Sequence, residues 1–261
     1  MRRLGLAAAW VYTWFWFAPL FAVLTVLMGT ASWLLSFATR RGADACGVIW
    51  GRVALALAGV RVRVHGRERV ERGRQYVVMS NHRSHFDALV LYGHLGLPFL
   101  WVMKLELRKV PFLGPACARL GHIFIDRRDR EQAVAALRAG LLRSAGNSVL
   151  FFPEGTRSAT GDLLPFKKGG FVVAADAALP ILPLSVRGSE RVLPSHGLVV
   201  RPFRVIDVTF HAPVPAPAEA GAREAWMATV RERIASGLAA EPRPAALPAP
   251  AAPVSAATPG G

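Results

Sequence analysis

Cysteine is nearly absent from this chain: Cys46 and Cys117 are the only two in 261 residues. That excludes a secreted module stapled by disulfides. Acid is scarce as well, with 17 Asp and Glu against 32 Lys and Arg, for a formal net charge of +15. Such a basic excess invites a nucleic-acid reading. The arginines are scattered, however, and no recognition module or aromatic–basic platform accompanies them. Charge of either sign is missing altogether from residues 4–39. At about 1.5 Å per helical residue that run exceeds the roughly 30 Å hydrocarbon core of a bilayer. What is abundant is apolar: 52% of the residues are hydrophobic, which excludes a disordered chain. The length is too short for a multi-pass transporter, since each span needs about 20 apolar residues.

The uncharged run reads as a membrane anchor. Pro19 and Gly29 interrupt it, so a tilted, kinked helix or a re-entrant element is expected rather than one straight span. Trp10, Trp14, Trp16 and Trp33 suit the headgroup level. Arginines flank the run on both sides, so the positive-inside rule sets no orientation. A cleaved signal peptide, with Gly29 and Ala31 as its small residues, is the competing reading, but its apolar core would be too long. Residues 42–60 form a second apolar segment with Asp44 and Arg52 as its charges. Trp50, Val53, Ala54, Leu57 and Ala58 fall on one helical face there. Either a core helix or an interfacial helix folding back on the anchor fits.

The expected organisation is an anchoring helical region (1–59), one soluble domain (60–238) and a disordered Ala/Pro-rich tail (239–261). Within the domain, Val60, Val62 and Val64 alternate with Arg61, Arg63 and His65 as a half-buried strand does. Short apolar runs at 76–79, 99–103, 123–125, 149–152 and 181–186 read as buried strands. Helical patterns at 84–95, 130–143 and 170–178 lie between them, with one or two strands at 199–210 and a last helix at 220–238. The alternation predicts an α/β fold with a mostly parallel sheet flanked by helices. Ligands in such folds gather beyond the carboxyl ends of the strands.

Two strand ends carry chemistry. After 76–79 comes Ser80-Asn81-His82-Arg83-Ser84-His85-Phe86-Asp87. A loop-to-helix bend there can bring the Asp87 carboxylate onto His82, fixing one tautomer and leaving the other ring nitrogen free to take a proton. Ser84 and Asp87 also match a capping box, in which Asp87 supports only the helix start. A metal site using His82 and His85 lacks the expected partners. After 149–152 comes Pro153-Glu154-Gly155-Thr156-Arg157-Ser158. Here Gly155 permits a tight turn, Thr156 offers a hydroxyl, and Arg157 offers a fork suited to phosphate or carboxylate. Glu154 fits beside an anion if it pairs with Arg157 or a lysine, or accepts a bond from a substrate hydroxyl. Lys167 and Lys168 open the next helix, and Lys104 and Arg127 end two other strands. Any of these is also compatible with a solvated surface charge.

In combination, these segments resemble the lysophosphatidate acyltransferases, the 1-acyl-sn-glycerol-3-phosphate acyltransferase family of membrane glycerolipid enzymes. The likeness runs over about 60–214. Asn81-His82 through Asp87 matches the family's first signature, and Lys104-x-Glu106-Leu107 with Pro111 and Gly114, continued by 124–127, matches the second. The third is Phe152 through Ser158 and the fourth Pro180-Ile181-Leu182-Pro183. The resemblance implies acyl transfer from a thioester, on acyl-CoA or acyl carrier protein, to the sn-2 hydroxyl of lysophosphatidic acid. His82 would be the general base and Asp87 its orienting partner. Glu154, Gly155, Thr156 and Arg157 would hold the glycerol phosphate, aided by Lys104 and Arg127. No metal or other cofactor is implied. The partners would be membrane lipids, at a membrane-anchored site facing the cytoplasm, such as that of a bacterial inner membrane. Other acceptors for the same chemistry, or a non-catalytic lipid-binding protein, are the alternatives.

Overall fold

The computed structural model describes residues 2–144 and 146–239. In chain order the elements are α1 (Arg2–Val11), α2 (Ala18–Leu35), α3 (Arg40–Leu57), β1 (Arg61–His65), β2 (Val77–Ser80), α4 (Phe86–His94), β3 (Phe99–Lys104), α5 (Leu113–Arg119) and β4 (Ile123–Ile125). Then follow α6 (Arg130–Leu142), β5 (Ser148–Phe151), α7 (Gly169–Asp176), β6 (Ile181–Arg187), α8 (Ser189–Val192), β7 (Val205–Phe210) and α9 (Arg223–Ala239). Apart from Ala239, the expected tail lies outside the described residues.

The seven strands form one sheet in the order β1-β7-β6-β2-β5-β3-β4. Every neighbouring pair is parallel except β6 and β7. The mostly parallel α/β architecture is therefore the observed one. Of the region 199–210, only its second half is a strand. Because β7 returns antiparallel to β6 and β1 then pairs parallel to β7, that edge of the sheet departs from simple β–α alternation.

Both faces are buried, and the residues alternate between them. Tyr76, Val78, Trp101, Leu150, Leu182 and Leu184 join Leu55, Leu89 and Leu91 in one core. Val77, Met79, Leu100, Val149 and Ile181 join Leu137, Phe171, Trp226 and Ile234 in the other. Each such side chain contributes about 1.5–3 kcal/mol when fully buried. Both cysteines are free and buried.

The uncharged run is one continuous helical rod rather than a re-entrant element. A π-helical turn, Tyr12–Phe17, links α1 to α2 directly before Pro19. Ala18 N–H donates to Thr13 O, five residues back, and this wider turn admits a ring that lacks an N–H. Gly29 does not interrupt the helix: a Cβ there would lie 2.8 Å from Phe112 O, so the glycine permits a close approach to the 105–112 loop. The stretch Gly5–Leu35 is long and apolar enough to cross a membrane, and only 11% of its most apolar window is buried. The second segment, α3, lies back along α2 and against α4, and Trp50 Nε1 donates to Thr25 Oγ1 at 3.0 Å. Ala54 and Ala58 are buried as that helical face predicts, whereas Val53 is exposed. Phe17 stacks on Phe86 and belongs to the first core, which thus extends across residues 59 and 60.

Candidate active site

At the carboxyl end of β2 the chain leaves the sheet under tight control. The buried Asn81 amide donates Nδ2–H to Val186 O and accepts Val186 N–H through Oδ1, each at 2.8 Å. This clamp to β6 fixes where His82 emerges. Below it, β6 carries Pro183 between β2 and β7, and the ladder to β7 starts at Leu184, where an N–H is again available.

Asp87, in the first turn of α4, has no solvent exposure. Its Oδ2 lies 2.9 Å from His82 Nδ1 and also accepts the N–H groups of Arg83 and Ser84 at 2.7 and 2.8 Å. Helix capping and histidine orientation, which the sequence poses as alternatives, fall on the same oxygen. A carboxylate at Nδ1 favours the tautomer with its proton there, so Nε2 carries the lone pair. The imidazole also stacks on Phe152, with ring centroids 3.8 Å apart and planes 3° from parallel. Phe152 is a site residue that sequence reasoning gives only as a motif position.

Glu154 is 3% exposed. Its Oε1 accepts His82 N–H at 2.7 Å and its Oε2 accepts Leu164 N–H at 2.8 Å. Ser158 N–H in turn donates to His82 O at 2.9 Å. The carboxylate therefore braces the backbone of the histidine loop; of the two roles the sequence allows it, the pair with Arg157 or a lysine is not made among the described residues. Burial raises its pKa, and the two N–H donors oppose that rise.

Gly155 turns at φ 73°, and a Cβ there would lie 2.7 Å from Lys167 Cε. Its carbonyl accepts from Arg127 Nη1 at 2.7 Å. Thr156 is exposed and Arg157 half-buried. Lys104 is elsewhere engaged, pairing with Glu106 at 2.9 Å on the surface, and lines neither of the cavities beside this turn. The first cavity, about 520 Å³, has an apolar floor including Val102, Leu137 and Phe151, and Phe152, the ring stacked on His82, lines it too. Arg127, Lys167 and Lys168 also line it. The second, about 340 Å³, lies against the start of α2 and is lined by Phe17, His85 and Arg157. Among the described residues no group of three or more His, Cys, Asp or Glu is placed to hold a metal ion.

This arrangement can take a proton at His82 Nε2 beside a cationic, apolar-floored cavity. Known proteins resemble this chain in sequence and fold. A model of the acyltransferase family matches residues 61–187. The chain is 33% identical over 136 residues to the 1-acyl-sn-glycerol-3-phosphate acyltransferase of Borreliella burgdorferi, covering 52% of this chain and 54% of that protein. It is 36% identical over 158 residues to the enzyme of that name from Saccharomyces cerevisiae, covering 58% and 52%. It is 38% identical over 130 residues to the alpha form from Homo sapiens, covering 49% and 46%. The chain thus spans about half the length of the curated relatives it matches. The crystal structure of the 1-acyl-sn-glycerophosphate acyltransferase PlsC from Thermotoga maritima superposes with a TM-score of 0.77 at 25% identity, covering 93% of this chain and 100% of that one. By sequence over about half of its length and by fold over 93% of it, this chain is similar to 1-acyl-sn-glycerol-3-phosphate acyltransferases.

Proposed function

We propose that the chain transfers a fatty acyl group from an acyl thioester to the sn-2 hydroxyl of 1-acyl-sn-glycerol 3-phosphate, giving phosphatidic acid. The carrying observation is the His82–Asp87 pair, 2.9 Å apart, with His82 Nε2 left as the acceptor. The acceptor oxygen attacks the thioester carbonyl carbon as its proton passes to Nε2. The tetrahedral intermediate then collapses, the C–S bond breaks, and the imidazolium returns the proton to the leaving sulfur. Asp87 holds the ring and stabilises the imidazolium between the two steps. Positioned base catalysis of this kind supplies about 10²–10⁴ in rate, and alignment of the two substrates supplies more.

The acceptor's anionic headgroup fits the Gly155 turn, where Arg127 and Lys167 stand beside an apolar floor. Glu154 serves by holding the backbone of His82 and Thr156 by its exposed hydroxyl, while Arg157 faces the cavity beneath α2. Lys104 is assigned a long-range electrostatic part. The helical rod α1–α2 keeps this site where insoluble acyl chains meet a water-soluble donor, on the cytoplasmic side where acyl-CoA and acyl carrier protein occur. No metal or other cofactor takes part in these steps.

The test is acyl transfer by purified protein against a panel of acceptors with both acyl-CoA and acyl carrier protein donors. His82→Ala abolishes transfer and Asp87→Asn lowers kcat by about 10²–10⁴, with folding and membrane attachment retained in both. Full activity in His82→Ala sinks the proposed base. Activity confined to acceptors without phosphate sinks the proposed substrate.

A further inference from the structure

The chemistry above leaves one large basic cavity unused. It measures about 620 Å³ and is lined by Arg63, Arg187, Arg191, Arg201, Arg204 and Phe203. Only two carboxylates, Glu190 and Asp207, line it as well, so the five arginines outnumber the acids. Its floor follows from strand register. Arg63 on β1 pairs with Asp207 on β7, and Asp207 with Arg187 on β6, which sets all three on one face of the sheet. Asp207 accepts from Arg187 at 3.1 Å and lies 3.1 Å from His65 Nε2, so this acid is already engaged. Arg191 has Glu190 only at 3.9 Å. The guanidinium groups of Arg63, Arg201 and Arg204 have no carboxylate within ion-pair distance among the described residues.

Phe203 is 78% exposed and stands at φ 58°, a backbone conformation that a bulky residue seldom adopts. Such strain persists where the surroundings hold a side chain in a set place. Here it presents a largely exposed aromatic ring, tilted against Tyr12 with centroids 6.4 Å apart, among guanidinium groups. Arginine forks bind phosphate oxygens in pairs, and an exposed ring accepts a stacked base. A cavity of this size is of the order that encloses a small organic ligand.

Its place in the sheet ties it to the reaction. Arg187 follows Val186, whose backbone is clamped by Asn81 next to His82. With neighbouring strands about 4.8 Å apart, β7 and β1 lie roughly 10 and 14 Å from β2. An extended pantetheine arm reaches that far. We infer that this cavity binds the phosphorylated nucleotide end of the acyl donor, placing its thioester at His82. The inference rests on the acyl-transfer reading and deepens it, because it specifies acyl-CoA as a donor.

Arg201 and Arg204 also line a recess of similar volume, about 610 Å³, against α1, so an anionic lipid headgroup is the rival source of phosphate. Three measurements on the full chain separate the cases. Titration calorimetry with adenosine 3′,5′-bisphosphate should show binding to the wild type, weakened at least tenfold in Arg63→Ala/Arg204→Ala and weakened also in Phe203→Leu. Kinetics should show the ratio of kcat/KM for acyl-CoA over the same acyl group on pantetheine falling about tenfold in the double variant. A folding defect lowers both donors together and leaves that ratio in place. Sedimentation with phosphatidylglycerol vesicles should be nearly the same for the wild type and the double variant. No bisphosphate binding to the wild type, an unchanged donor ratio, or a defect confined to vesicle sedimentation each overturns the assignment. Bisphosphate binding that depends on the arginines, in a protein without acyl transfer, sinks the proposed reaction and leaves the cavity's ligand class standing.

Discussion

Two buried acids divide the control of one histidine. Asp87 orders the imidazole, and Glu154, with no contact to the ring, orders the backbone that carries it. Replacing Glu154 by Gln turns one of its two oxygens into a donor facing an N–H. A buried group left unsatisfied costs about 1–3 kcal/mol, and each kcal/mol lowers Tm by about 2–4 °C in a domain of this size. Glu154→Gln should therefore melt several degrees lower by circular dichroism and lose kcat together. If Glu154 instead touches the acceptor directly, KM for lysophosphatidic acid rises and Tm stays put. The two acids were not equally legible. His82 and Asp87 are close in sequence, and a bend between strand and helix makes them neighbours by local geometry alone. Glu154 meets His82 across 72 residues and through a backbone N–H, which leaves no mark on residue type. The stacking of Phe152 under His82 is hidden for the same reason.

Elements were legible where the apolar pattern is long or periodic. The buried strands appear as short apolar runs, and the parallel sheet follows from their alternation with helices. Short α5, with Gly114 and Pro115 inside seven residues, offers no such pattern. The reversal of β7 is invisible too, since a half-buried strand alternates in the same way in either direction. Contacts between elements are set by small residues that periodicity does not rank. On α3, Gly51 is the closest: a Cβ there would lie 2.6 Å from Leu89 O and 2.8 Å from Gly93 N. Those atoms are backbone of α4 and cannot swing aside. Gly51→Val should cost about 1–3 kcal/mol of overpacking. Because α4 carries Asp87 in its first turn, the shift should also lower kcat. Gly5→Ala, where nothing lies within 4 Å, is the contrasting substitution, expected to keep or raise Tm. A Gly51→Val protein with wild-type melting and activity would refute the close α3–α4 contact.

Across the whole molecule, apolar and basic excess are arranged together. The α1–α2 rod exposes Trp10, Trp14, Phe15 and Trp16. Beyond it, Phe112 touches Gly29 of α2 from one loop, and the loop carrying Phe203 lines the recess against α1. Phe17 fastens the rod into the core shared with α3, α4 and the sheet. Stability is then a property of rod and domain jointly, and its pH dependence is set by histidines buried without charge. His122 accepts Trp101 N–H at Nδ1 and contacts Tyr92 Oη through Nε2, joining β3 to α4. Burial lowers its pKa to about 3, and that of His211 to about 4. In the unfolded chain both titrate near 6.5. Below that pH the unfolded state binds more protons than the folded one, so stability falls as pH falls. Each histidine adds a slope of up to about 1.4 kcal/mol per pH unit until its folded pKa is reached. The raised Glu154 carboxyl acts in the opposite sense, since the folded state then binds the extra proton. Burial also lowers the pKa of His85 and His94 and raises that of Asp44, so four histidines against two carboxyls leave the net fall in place between about pH 6.5 and 4.5. Denaturant unfolding in detergent micelles across that window should show it, and His122→Gln with His211→Gln should make it shallower. A wild-type protein whose unfolding free energy is level from pH 6.5 to 4.5 would mean that these imidazoles take up protons in the folded state.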